Sequence, residues 1–297
     1  MTESEASTAL QAILEHLGVK AGDRLMLGID MGALPLPRYS AALDRQAFRE
    51  RERKWCTFVL DILKSAVGPS GTILVPTYTY SCGSARSCFV LEDTRSEVGP
   101  FTEFVRTQAG VVRSVHPIFS LSGIGRDAAS ILLGTGRSAF GAVSPFGRFH
   151  SYGVRFLCLG VELRKSITYI HHLEQSYGCP HRYNKVFDVD VLSGGKKIPG
   201  PWYAYVGFRM GYESEISALQ KALKEAGALA ECNWNGHANH LADIRAVDLV
   251  GYDLLSKNSD VFVNQGLDMR FEEAYPNTDL QTGAQCNLTV YAKEKHR

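Results

Sequence analysis

Apolar and polar positions divide the chain into alternating helical and extended segments. "STALQAILEHLG" carries a Ser/Thr start signal, apolar residues at helical spacing and a closing glycine, which predicts a helix. "GDRLMLGIDMGAL" then reads as a turn, a short strand and a loop. A charge-rich stretch over 38–54 reads as a loop or a solvated helix face. It runs into an amphipathic helix, because Trp55, Phe58, Val59, Ile62, Leu63 and Ala66 fall at i, i+3, i+4, i+7, i+8 and i+11.

"GPSGTILVPTYTYS" predicts a turn and an apolar strand that stops near Pro76. "GPFTEFVRTQAG" reads as a short helix, "SVHPIFSLSGIG" as a strand ending in glycines, and "VRFLCLGV" as a buried strand. "SITYIHHLEQS" follows with helical character, placing Ile167, Ile170, His171 and Glu174 on one face. Beyond Asp190, Gly/Lys turns precede a helix from about Glu213 to Ala226 and a last one at "AVDLVGYDLLSK". The alternation predicts an α/β core, with residues 1–297 as one domain and 190–297 as its C-terminal elaboration.

Composition adds bounds. The chain has 297 residues, 45% hydrophobic and 21% charged, enough apolar material for a core. A net charge of +1 argues against nucleic acid or an anionic membrane as partners, though it admits a local basic patch. No apolar run reaches bilayer length, and the N-terminus lacks the basic and apolar regions of a signal peptide. Seven cysteines without CxxC pairing fit free thiols, so a soluble cytoplasmic protein is expected.

Several chemistries fail on spacing. "GIGRDA" (Gly123, Gly125, Ala128) meets a loose dinucleotide fingerprint, but no Asp or Glu lies between Asp127 and Glu162 to hold a ribose. "GTGRSAFG" lacks the GK[ST] ending of a phosphate loop, and no GxSxG elbow is present. His171, His172, Glu174, Cys179 and His181 offer metal-ligand types, yet HEXXH is absent. Adjacent histidines on a helix also diverge by about 100°. Spacing leaves two readings of His171 and Glu174: a proton-accepting pair, or a structural histidine with an ion-pair partner.

Taken in order, "GTILVPTYTYS", "RSEVGPFTEFVRTQAGVVRSVHPIFSLSGIG", "FGAVSPFGRF" and "VRFLCLGVELRKSITYIHHLEQ" resemble the aminoglycoside 3-N-acetyltransferase family. The family's GT…PT strand, RSxHP segment, SPF turn and T-x-x-H-x-x-E helix match Pro76-Thr77, Arg113 to Pro117, Ser144-Pro145-Phe146, and Thr168 through His171 to Glu174. The resemblance covers most of residues 20 to 185, and the C-terminal "GHANHLADIRAVDLVGYDLLSK" matches less well. It implies a mixed sheet flanked by helices, distinct from the common acetyltransferase fold. It also implies acyl transfer from acetyl-CoA to a small-molecule amine, without a metal or an acyl-enzyme. His171 aligns with the family's catalytic histidine and Glu174 with its companion acid. Arg113, Ser114, His116, Ser144, Phe146 and Thr77 become the expected CoA contacts, with oxyanion donors in the 77–80 region. Expected partners are CoA and the amine, and a homodimer is one expected assembly.

The chain also departs from the drug-modifying members. Gly28-Ile29-Asp30 stands where their first strand ends in His-Ser-Ser. The 34–54 insertion, "YSCGSARS" and "HRYNKVF" look more like relatives associated with surface-polysaccharide sugars or secondary metabolites. Asp30, Thr168, Arg182 and Tyr183 are therefore the expected acceptor contacts. The alternatives are a catalytically altered member that binds CoA or a small molecule, and a metal hydrolase using the His/Glu/Cys cluster.

Overall fold

The computed structural model describes residues 1–39, 44–83, 87–207 and 214–263. The first part of the chain forms α1 (Glu3–His16), β1 (Arg24–Ile29), α2 (Arg45–Val67), β2 (Thr72–Pro76), β3 (Cys88–Val90) and α3 (Pro100–Arg106). Next come β4 (Val112–Arg113), β5 (Leu121–Gly125), α4 (Ala128–Leu132), α5 (Pro145–Tyr152), β6 (Val154–Leu159), α6 (Leu163–Ser166) and α7 (Ile170–Tyr177). The remainder is β7 (Arg182–Phe187), β8 (Asp190–Ser193), β9 (Lys196–Ile198), β10 (Trp202–Gly207), α8 (Ser217–Glu225), β11 (Leu229–Trp234), β12 (His237–Asp243) and α9 (Ile244–Lys257).

The apolar strands β6, β1 and β2 run parallel at the centre of a seven-stranded sheet of order β11-β12-β6-β1-β2-β5-β4. Antiparallel strands flank them on both sides, so the sheet is mixed. Side chains alternate across it with period two. Leu25, Leu27, Ile73, Val75, Leu157 and Leu159 pack against α1, α2 and α3. Met26, Leu74, Phe156 and Cys158 face the opposite core, which holds Phe149, Ile170, Leu173, Leu219 and Val247. Both faces are covered, which is why these strands read as continuous apolar runs.

Several boundaries differ from the sequence pattern for local reasons. Helix α1 starts at Glu3 because Thr2 and Glu5 form a capping box ahead of the apolar stripe. Helix α2 starts at Arg45, ten residues before the amphipathic run, because Asp44 caps it by accepting from the Ala47 N–H at 2.8 Å. Its charged first turns form a solvated face, while Phe58, Val59, Ile62 and Leu63 are buried. The late helix begins at Ser217; Glu213, where the pattern placed its start, lies outside the described residues, as do residues 84–86 of "YSCGSARS". The "GIGRDA" turn closes β5, which runs antiparallel to β2 and so builds no parallel dinucleotide unit.

The region read as a C-terminal elaboration supplies part of the main sheet. Strand β12 pairs with β6 from His240↔Cys158 to Asp243↔Arg155, and β11 pairs with β12 as the edge. Helix α9 then packs on α7 by close approach, since a Cβ on Gly251 would lie 2.6 Å from Leu173 Cδ1. No helix among the described residues is long and apolar enough to cross a membrane.

At the C-terminal end of β1, Gly28 has a steric reason to be glycine. A Cβ there would lie 1.9 Å from Ser166 Oγ and 2.5 Å from Ser166 Cβ, so α6 fills the space that a side chain on β1 would take. Gly28→Ala is predicted to lower the unfolding free energy by about 1–3 kcal/mol, as overpacking does. Adding Ser166→Gly should recover most of that loss in urea denaturation.

Candidate active site

The parallel strands β6, β1 and β2 end on one rim, and the chain leaving β6 turns there into α6 and α7. Loops at the carboxyl ends of parallel strands are where open α/β sheets bind ligands. Helix α7 is fixed at its start by the Tyr169 hydroxyl, which donates to Asp248 of α9 at 2.7 Å. It ends at Gly178, whose left-handed φ of 83° lets the chain reverse and return beneath the helix.

That reversal assembles the site. Glu174, fully buried, accepts a hydrogen bond from His171 Nδ1 at 3.0 Å through Oε2. The Arg182 guanidinium stands at the same oxygen, with Nε 2.7 Å away. Oε1 receives His181 Nε2 at 3.0 Å, and His181 Nδ1 faces Asp260 Oδ1 at 2.9 Å. Burial opposes a charged Glu174, but Arg182 and the bonds from His171 and His181 outweigh it and hold its pKa far below the usual carboxylate range. Burial, and then the positive charge of Arg182, lower the His171 pKa from 6.5. Its imidazole is therefore neutral near pH 7, with the Nδ1 proton directed at Glu174 and an acceptor lone pair on Nε2. The side chain keeps 23% of its surface exposed, so an incoming group can reach it.

His172 points elsewhere, as the angular spacing requires. Its Nδ1 bonds to the Phe140 carbonyl at 2.6 Å inside the core. The proposed cluster of metal ligands is accounted for differently. His181 reaches Glu174, burial pushes the Cys179 thiol pKa up to about 12, and the Arg182 guanidinium takes the other oxygen of Glu174. Among the described residues, no three His, Cys, Asp or Glu side chains are placed to hold a metal ion.

The residues expected to touch CoA lie inside the frame instead. Arg113 is buried, and its donors go to Ser120 Oγ and to the carbonyls of Leu91, Thr94 and Thr77. Its guanidinium also lies 4.7 Å from the Phe89 ring centroid, so it braces the segments around Leu91, Thr94 and Thr77. Ser114 Oγ accepts from the Leu121 N–H, and Thr77 Oγ1 bonds to the Ser120 carbonyl. His116 Nδ1 accepts from the Ile118 and Phe119 N–H groups while Nε2 meets the Tyr203 carbonyl, and burial lowers its pKa to about 4. Ser144 caps α5 by accepting from the Gly147 N–H, and Phe146 packs between Phe140 and Phe149. Thr79 is likewise buried, so the two threonines in the 77–80 region face inward. These motif residues build the rim, and their polar atoms are taken up within it.

Of the expected acceptor contacts, Arg182 is buried against Glu174, and Tyr183, the next residue of β7, is also buried. Asp30 is exposed and caps the turn after β1 by accepting from the Gly32 N–H at 2.9 Å. Thr168 lies half-buried one turn ahead of His171, facing the buried Tyr78 hydroxyl. Sequence reasoning missed the pairing of Glu174 with His181 and Arg182. The pointer to it was the Gly178-Cys179-Pro180 turn, which brings both side chains back under α7.

The chain matches the sequence profile of the aminoglycoside 3-N-acetyltransferase family over residues 50–255. It is 26% identical over 204 residues to the aminoglycoside N(3)-acetyltransferase VIII of Streptomyces fradiae, a match spanning 62% of this chain and 66%, just under two thirds, of that relative. Its fold resembles the crystal structure of aminoglycoside acetyltransferase AAC(3)-Xa, with a TM-score of 0.68 and 20% identity over 86% of this chain and 95% of that one. The structure of AAC-IIIb with CoASH is equally similar, with a TM-score of 0.68 and 20% identity over 91% of this chain and 99% of that one.

Glu174→Gln removes the buried negative charge that Arg182, His171 and His181 all face. It is predicted to lower the unfolding free energy by about 3–5 kcal/mol in urea titration, the usual cost of stranding a buried cation.

Proposed function

We propose, from the premise that the chain belongs to the aminoglycoside 3-N-acetyltransferase family, that it transfers the acetyl group of acetyl-CoA to the amine of a small molecule, with His171 as general base. Amino sugars, aminoglycosides and related amines are the proposed acceptors. The observation that carries the reading is the partly exposed His171 held neutral over a buried, ionised Glu174. An alkylammonium has no free lone pair, so a base must remove its proton as the nitrogen attacks the thioester carbonyl. His171 Nε2 takes that proton. The freed lone pair attacks, the C–N bond forms and the C–S bond breaks. The nitrogen gives up a second proton to become the amide, and the leaving CoA thiolate takes that proton as the thiol, while His171 returns its proton to solvent.

Glu174 stabilises the imidazolium formed in this step and fixes the ring orientation through Nδ1. Arg182 and His181 keep Glu174 charged and aimed throughout. CoA approaches along the rim formed by the ends of β1, β2 and β6, where the buried Arg113, Ser114, His116, Ser144, Phe146 and Thr77 shape the loops. Asp30 and Thr168 offer polar atoms at that rim toward the acceptor.

His171→Ala is predicted to lower kcat/KM by about 10²- to 10⁴-fold in a CoA-release assay with an accepted amine, while the fold is retained. Near-wild-type turnover in that variant would overturn the assignment. Because neutral imidazole is the active form and its pKa is lowered, the acid limb of kcat/KM should fall below pH 6.5. A limb at or above 6.5 would contradict the assigned environment.

A further inference from the structure

Beside His171, α7 presents one more partly exposed polar position toward the same side. Gln175 lies four residues on, one helical turn from the base, whereas Ile170, His172, Leu173 and Glu174 are buried. Its amide Nε2 donates to Ser138 Oγ at 3.1 Å and to Asn184 Oδ1 at 3.3 Å. Asn184 is the one exposed position of β7, whose other residues are buried or half-buried. Ser138 stands two residues before Phe140, whose ring meets the His171 ring edge-on at 5.3 Å. Three short neutral side chains, from α7, β7 and the segment before α5, therefore form a hydrogen-bonding shelf one turn from the base. None carries a charge; Asn184 is exposed, and Ser138 and Gln175 are partly buried.

We propose that Gln175, supported by Ser138 and Asn184, is a specificity-determining residue that reads a hydroxyl on the carbon next to the reacting amine. This rests on the acyl-transfer reading above. With the amine at His171 Nε2, a vicinal hydroxyl lies within one helical turn, where Gln175 Oε1 can accept from it and the Asn184 amide nitrogen can donate to it. A neutral amide pair suits a hydroxyl, which both donates and accepts, better than a second ammonium, which only donates. The residue positions the acceptor and takes no proton, so its loss should act on KM and leave the base intact.

The test compares trans-2-aminocyclohexanol with cyclohexylamine, using acetyl-CoA and CoA release. The wild-type enzyme should favour the amino alcohol by about tenfold in kcat/KM, the scale of one good hydrogen bond. Gln175→Leu should abolish that preference by raising KM for the amino alcohol alone, with the pH profile and melting temperature unchanged. Asn184→Ala, at an exposed position, should act in the same direction by about threefold. Equal turnover of the two amines by the wild type, or an equal loss for both in Gln175→Leu, overturns the shelf and leaves acyl transfer standing. No CoA release from either amine in the wild type overturns both readings.

Discussion

The site is organised around one buried carboxylate. Glu174 has no exposed surface, and such a charge persists only where opposite charge and hydrogen bonds replace water. The chain provides these from both sides of the Gly178 turn, with His171 before it and His181 and Arg182 after it. The turn, the start of β7 and the first residues after α9 are all tied to this carboxylate, since His181 also faces Asp260. One interaction thus stabilises the region and orients the partly exposed His171, whose neutral state follows from burial and from the charge of Arg182.

A second constraint is the packing of the rim. Arg113, Ser114, His116 and Thr77 consume their polar atoms on loop carbonyls and N–H groups, holding the ends of β2 and β5 in place. Gly28 and Ser166 show the same logic in apolar terms, since one lacks a side chain where the other fills the gap. Motif residues of this kind maintain the geometry of the rim, a role that a pattern of residue types alone does not distinguish from ligand contact.

The central strands and α7 were legible in the sequence because both faces of β1, β2 and β6 are buried and because His171 and Glu174 sit at i, i+3. The divergence of His171 from His172 was legible for the same geometric reason. The hairpin of β11 and β12 was not, because "LAECNW" forms the polar edge strand and "HANHLAD" places the polar Asn239 and His240 in its buried stretch, so neither carries clear alternation. The partners of Glu174 were hidden by a turn: His181 and Arg182 follow a glycine, a cysteine and a proline, and only the three-dimensional reversal returns them to the helix. Family resemblance named His171 and Glu174, while the contacts that hold the pair in place are made after the motif ends.

The most direct measurement of this account is the ¹⁵N NMR titration of the His171 imidazole in the full-length protein. The account predicts that near pH 7 the proton resides on Nδ1 and Nε2 is unprotonated, with a titration midpoint below 6.5. A ring protonated on Nε2 in its neutral form, or a midpoint above 6.5, would contradict it.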